Sequence, residues 1–210
     1  MSDDVSRPLI AVLDYGIGNL RSAQKSLQHV GADARLTADP GLIADAAGVV
    51  LPGVGAFGAC MAALDSSGLD TLAIESARSG RPFLGICVGM QLLCAWSEES
   101  PAVEGLGVFD LEVVRIGGDV KLPQMQWNQL AVRQAHPLFA GLLESPWMYF
   151  VHSFAVKDSS ATIATCDYGG DVVAAVADGP VAALQFHPEK SSHAGLDLLG
   201  NFVQSCRTAA

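Results

Sequence analysis

Basic residues are scarce in this chain. Lys and Arg number 12 against 22 Asp and Glu, a formal charge of −10 at pH 7. A phosphate backbone is normally held by a basic face, so this balance argues against nucleic acid as a partner. Long hydrophobic runs are missing too. Half of the residues are apolar, yet no run approaches the roughly 18 uninterrupted apolar residues of a membrane-crossing helix. The five cysteines, at 60, 87, 94, 166 and 206, are odd in number and scattered, with no C-x-x-C pair. Neither a disulfide framework nor a zinc ribbon is suggested, and a reducing compartment fits. "MSDDVSRPLIAVLDYG" has neither a basic n-region nor a small-residue cleavage site. The expectation is a soluble, cytoplasmic protein of 210 residues, long enough to bury a substantial core. Residues 1–7, polar and terminal, read as a flexible tail. No repeat or linker divides the rest, so 8–207 reads as one domain.

What is present is an alternation of strand and helix signals. "PLIAVLDY" (8–15) is a continuous apolar run, as in a strand buried on both faces. "GIGN" leads into a helix with Leu20, Ala23, Leu27 and Val30 at helical spacing, stopped by Gly31. "ADARLT" and "GVVLPG" (48–53) are further strands. "FGACMAALDSSG" and "LDTLAIESARSG" are helices, and "RPFLGI" is a strand ending at Cys87. This rhythm implies parallel β-α-β units in an α/β sandwich. After about Leu106, "LGVFDLEVVRI", "WMYFVHSFAV", "ATIATCDY", "DVVAAVA" and "PVAALQFH" read as successive strands, an antiparallel edge grafted on the parallel sheet. "HAGLDLLGNFVQSCR" closes as an amphipathic helix.

Ligands of such sheets sit at the carboxyl ends of the strands. "DYGIGN", "PGVGAF" and "GICVGM" fall at those ends. Cys87 between Gly85 and Gly89 is the cysteine form of a nucleophile elbow, whose sharp turn leaves no room for neighbouring β-carbons. A cysteine there also faces the positive end of the following helix, which favours thiolate. The same residues equally describe a buried cysteine on a tight turn, since a free thiol packs as a small hydrophobe.

A thiolate nucleophile needs a base, and the base an orienting group. Of the five histidines, His29 falls on a polar helix face, His136 in a loop and His193 at the start of the last helix. His152 and His187 lie at or near strand ends. In "LQFHPEKS", Pro188 stops the strand, so His187 and Glu189 can present from one turn. A solvated turn with a chance His and Glu reads the same way. The backbone N–H of Val88 and those of the Gly53-Val54-Gly55 loop are candidate oxyanion donors. No metal site is suggested, because His187 and His193 lack the H-E-x-x-H spacing. A dinucleotide site fails too, because Arg21 stands where the third glycine belongs. No cofactor is expected.

Taken together, "DYGIGNLRS", "LPGVGAFG", "GICVGMQLL", "KLPQMQWN", "YFVHSF" and "QFHPEKS" make the chain resemble the class I (triad) glutamine amidotransferases over essentially its whole length. Within that class they are similar to the glutaminase subunits of imidazole glycerol phosphate synthase. The resemblance implies a flavodoxin-like three-layer sandwich around a mostly parallel sheet. It also implies a triad of Cys87, His187 and Glu189 that releases ammonia from glutamine through a thioester. Gln91 and Glu99 match positions holding the amino-acid end of glutamine, and His152, Ser153 and Phe154 match a segment lining the same pocket. The implied partner, in a heterodimer, is a (β/α)8-barrel cyclase that uses the ammonia in histidine biosynthesis. Asn19, Trp127, Asn128, Tyr149 and Lys190 match positions near that interface, although Trp127 and Tyr149 also suit an ordinary core.

The sequence departs from the family in two places. Pro123-Gln124-Met125-Gln126-Trp127-Asn128 stands where P-H-M-G-W-N is usual, and Phe154 replaces a tyrosine. Two other readings stay open: an amidotransferase feeding a different acceptor, and a scaffold that keeps the fold without activity. The glycine-rich Pro52–Gly55 loop, read as flexible, implies donors turned away until a partner binds, and hence a poor glutaminase in isolation.

Overall fold

The apolar runs of the N-terminal half form strands covered on both faces. The computed structural model describes residues 7–208. The expected tail lies outside them except for Arg7, which is exposed. Strand β1 (Leu9–Leu13) leads through α1 (Leu20–His29) to β2 (Asp33–Thr37), then through α2 (Pro40–Asp45) to β3 (Gly48–Gly53). Helices α3 (Phe57–Ser66) and α4 (Leu69–Arg78) precede β4 (Phe83–Cys87). Every residue of β3 and β4 is buried. The continuous apolar sequence thus has a simple cause, namely two covered faces.

After β4 come α5 (Val88–Leu92), β5 (Cys94–Ser97), β6 (Phe109–Arg115), β7 (Gln124–Gln129) and β8 (Ala131–Val132). Strands β9 (Trp147–His152), β10 (Phe154–Val156), β11 (Thr162–Asp167), β12 (Asp171–Asp178) and β13 (Val181–Leu184) follow, and α6 (Ser192–Thr208) closes the described chain. The main sheet has the order β2-β1-β3-β4-β13-β12-β11-β8. Its first five strands run parallel, while β12, β11 and β8 add on antiparallel. Helices α1 and α6 pack together, while α4 packs with α2 and α3. Right-handed crossovers put these two groups on opposite faces, which makes a three-layer sandwich.

The C-terminal strands do not all join one edge. A second sheet has the order β10-β6-β5, and β7 pairs with β9 in a two-stranded ribbon. The run "WMYFVHSFAV" breaks at Ser153 and serves two sheets, because β9 pairs with β7 and β10 with β6. Helix α2 carried its signal in Asp39-Pro40: the Asp39 carboxylate accepts the Leu42 N–H at 2.7 Å, and Pro40 begins the helix. Strand β7 carried a weaker one, because its apolar face is only Met125 and Trp127, alternating with Gln124, Gln126 and Asn128 and left exposed rather than packed on the core. No helix among the described residues is long and apolar enough to cross a membrane.

Candidate active site

The carboxyl ends of β3, β4 and β13 meet at one cavity of about 270 Å³. It is lined by Val54, Gly55, Cys87, Val88, Gln91, Glu99, His152, Ser153, Phe154 and His187, together with Pro123 and Val151. Ten residues singled out in the sequence, drawn from five separate segments, therefore share one wall.

Cys87 ends β4 with φ +56° and ψ −113°, a conformation that non-glycine residues rarely adopt. The glycines around it are a steric necessity. A Cβ on Gly89 would overlap the Leu51 carbonyl, and one on Gly85 would stand 2.8 Å from Leu93 Cδ1 and 3.0 Å from the Gly89 oxygen. The helix expected to polarise the thiol is short: α5 has five residues before the chain enters β5. So few aligned peptides give little macrodipole, and the cation placed to act on Cys87 is instead His187.

His187 Nδ1 and Glu189 Oε1 are 2.8 Å apart, and both side chains are 2 % exposed. The carboxylate can only accept, so Nδ1 carries a proton and Nε2 is left for a partner other than Glu189. Nε2 is buried and makes no hydrogen bond. Burial disfavours the charged imidazole, but Cys87 and Glu189 outweigh it and raise the pKa to about 9.

The Pro52–Gly55 segment is more constrained than its glycines suggested. Pro52 and Gly53 belong to β3 and are buried, with Gly53 in register with Cys87, while Val54 and Gly55 reach the cavity. Tyr15 donates its hydroxyl to the Pro52 carbonyl at 2.7 Å, and the Cys60 thiol donates to the Val54 carbonyl at 3.3 Å. Burial raises both pKa values, which keeps both groups in the donor form. Because C=O and N–H of one planar peptide point oppositely, anchoring the Val54 oxygen turns the Gly55 N–H away from Cys60.

The amide groups of the pocket are wired together. Gln91 Nε2 donates to the Phe154 carbonyl at 3.1 Å and to Gln185 Oε1 at 3.0 Å. Gln185 Nε2 reaches Cys87 Sγ at 4.0 Å. His152 Nδ1 meets the same Phe154 carbonyl at 2.8 Å, and its Nε2 lies 2.9 Å from the Gln124 carboxamide. Burial holds the His152 pKa down at about 4, reinforced by His187, against the pull of the Phe154 carbonyl. Glu99 Oε2 accepts the Phe57 N–H at 2.7 Å, so one oxygen already serves the start of α3.

Gln185, Tyr15 and Cys60 were not anticipated. For Gln185 a signal existed, since it is the one polar side chain in the buried "VAALQF" run and stands two residues from His187. Tyr15 and Cys60 act only through the fold and had none.

The five remaining residues divide. Trp127 and Tyr149 oppose each other across the β7–β9 ribbon with ring centroids 6.0 Å apart, and Lys190 Nζ stands 5.9 Å from the Tyr149 ring. Trp127 is 44 % exposed, so it is no core aromatic. Met125 (62 %) and Trp147 (53 %) extend the same apolar face. Asn128 lies on the other face and donates to the Asp167 carbonyl at 2.8 Å. Asn19, at the start of α1, accepts from Ser22 Oγ at 2.8 Å and does not line the cavity. The glutamines that replace the usual histidine and glycine leave β7 in unbroken register with β9. Gln126 is exposed and Gln124 wholly buried.

Comparison with known proteins agrees with this geometry. The family described as "Glutamine amidotransferase class-I" matches residues 11–206. The imidazole glycerol phosphate synthase subunit HisH of Methanosarcina barkeri is 46 % identical over 201 residues, covering 94 % of this chain and 98 % of its own. The protein of the same name from Syntrophotalea carbinolica is 47 % identical over 203 residues, covering 92 % and 98 %. The solved structure of PurLQS from Thermotoga maritima shares the fold at TM-score 0.73 and 20 % identity, over 96 % of this chain and 98 % of the matched one. A further solved structure, described only as a glutamine amidotransferase, gives TM-score 0.74 at 21 % identity, over 94 % and 98 %.

Proposed function

This chain belongs to the class I glutamine amidotransferase family, and on that footing we propose that it is the glutaminase subunit of an imidazole glycerol phosphate synthase. The observation that carries the reading is the strained Cys87 sharing a cavity with an imidazole whose far nitrogen is tied to a buried carboxylate. Cys87 attacks the side-chain carbonyl carbon of glutamine. The developing oxyanion takes hydrogen bonds from the N–H of Val88, the first residue of α5, and from the Val54–Gly55 segment. Imidazolium at His187 protonates the departing nitrogen, which leaves as ammonia and a thioester. The neutral ring then takes a proton from water, and the hydroxide releases glutamate. Glu189 holds the ring in one tautomer and stabilises its charged form.

Gln91 uses both N–H bonds internally, so only its oxygen is free for substrate. It therefore suits a donor such as the α-ammonium of glutamine. Glu99, with one oxygen uncommitted, suits the same group.

The ammonia goes to a (β/α)8-barrel cyclase bound in a heterodimer, which makes imidazole glycerol phosphate and aminoimidazole carboxamide ribonucleotide. Exposed Met125, Trp127 and Trp147, with Tyr149 and Lys190 beside them, support the ribbon as the docking face. Asn19, at the carboxyl edge of β1, and Asn128 belong to its margin. The reading is tested by glutamate release from glutamine, alone and with the cyclase and its ribonucleotide substrate. Strong stimulation in the complex is expected. Hydrolysis indifferent to that partner would leave an amidotransferase for another acceptor, and silence in both assays would end the reading.

A further inference from the structure

A histidine flanked by two acceptors presents a problem of protons. His152 Nδ1 stands 2.8 Å from the Phe154 carbonyl, which only accepts, so Nδ1 carries a proton. The ring is 6 % exposed, and burial keeps it neutral at pH 7, which leaves Nε2 bare. The Gln124 carboxamide oxygen stands 2.9 Å from that bare nitrogen, two acceptors face to face, so the amide must turn over to present its N–H to the ring. Its oxygen then takes the place of the Gln124 nitrogen that stands 3.6 Å from Cys166 Sγ, and accepts the thiol proton. Cys166 is buried, and desolvation raises its pKa to about 11, so that proton is present.

With this orientation every bond in the buried row has a donor and an acceptor. The Cys166 thiol donates to Gln124, Gln124 to His152 Nε2, and His152 Nδ1 to the Phe154 oxygen. Gln91 donates to that same oxygen and to Gln185, whose remaining N–H faces Cys87. Gln124 and Gln185 are 0 % exposed and Gln91 3 %. The other titratable groups around His152 are His187, Cys87 and Glu99, all across the cavity.

We propose that Gln124 is a positioning residue for the glutamine pocket. It excludes the proton from His152 Nε2, holds it on Nδ1, and so fixes the Phe154 carbonyl against which the Gln91 carboxamide is oriented. The residue that departs from the family at this position is thereby a working part of the site. The kinetic half rests on glutamine being the substrate; the spectroscopic half does not.

The test is ¹⁵N NMR of the histidine rings in the full chain, with steady-state kinetics of the cyclase complex. In the wild type, His152 should show a protonated Nδ1 and a bare Nε2 at pH 7. Gln124→Glu, which offers only acceptors, should protonate both nitrogens at pH 7. It should raise KM for glutamine about three- to tenfold, because a charged ring draws harder on the Phe154 carbonyl that it shares with Gln91 and loosens the Gln91 carboxamide, with kcat changed less than KM. Gln124→Met, similar in shape, should keep the tautomer and raise KM by a smaller factor. A wild-type ring protonated at Nε2, or unchanged KM in both variants with their melting temperatures preserved, would overturn the proposal. Normal tautomers in a chain without glutaminase activity would instead uphold the wiring and refute the function.

Discussion

The main-chain N–H of His187 donates to the carbonyl of Tyr149 at 3.0 Å. The Tyr149 N–H in turn donates to Ser191 Oγ at 3.0 Å, and that hydroxyl donates to the His187 carbonyl at 2.6 Å. The exposed ribbon and the proposed catalytic turn are thus one hydrogen-bonded unit, and a partner seated on Trp127 and Tyr149 bears directly on the backbone of His187.

The aromatic face of the ribbon should therefore govern binding without governing the thiol. Trp127→Ala is expected to weaken cyclase binding by at least about 30-fold, the ordinary loss for a central aromatic anchor of roughly 2 kcal/mol. Alkylation of Cys87 by iodoacetamide in the isolated chain should stay within about twofold of wild type. Titration calorimetry and alkylation rates check the two halves separately.

The triad should respond unequally to substitution. Cys87→Ala is expected to abolish glutamine hydrolysis. Glu189→Gln keeps the shape but removes the charge that stabilises imidazolium, and should reduce kcat by about 10³–10⁴ with activity still measurable. Glutamate release in the complex measures both, and full activity in Cys87→Ala would remove the cysteine from the mechanism.

Two histidines give stability opposite pH dependences. The folded pKa of His152, about 4, lies below its ordinary 6.5, so the unfolded chain binds the extra proton. Its contribution is complete above pH 6.5 and is lost as pH falls toward 4. The folded pKa of His187, about 9, lies above 6.5, so its contribution is complete below pH 6.5 and is lost as pH rises toward 9. Melting temperature should peak near pH 6–7 and fall on both sides. His152→Gln should flatten the slope between pH 4 and 6.5, and His187→Gln the slope between 6.5 and 9.

The elbow should tolerate no β-carbon at its second glycine. Gly89→Ala drives a methyl into the backbone carbonyl of Leu51, which has no rotamer by which to yield. A loss of at least about 2 kcal/mol is expected, at the upper end for overpacking, together with loss of Cys87 reactivity. Urea unfolding and alkylation kinetics of the same preparation measure both.

The parallel half of the fold and the grouping of side chains at its edge were legible in the residue order. Continuous apolar runs are what strands covered on both faces require, and glycines 85 and 89 mark a turn where no side chain fits. His187, Pro188 and Glu189 lie within three residues, so their pairing is a local matter, which is why it could be read. Contacts between distant segments settled the rest. The division of "WMYFVHSFAV" between two sheets follows from partners in β7 and β6, which no local pattern encodes. The brevity of α5 follows from the pairing of β5 with β6. Gln124 and Gln185 are ordinary polar residues until β9, α5 and β4 bring His152, Gln91 and Cys87 against them. A hydrogen bond specifies its partner by position in space, and along the chain those partners are separated by 28 to 98 residues.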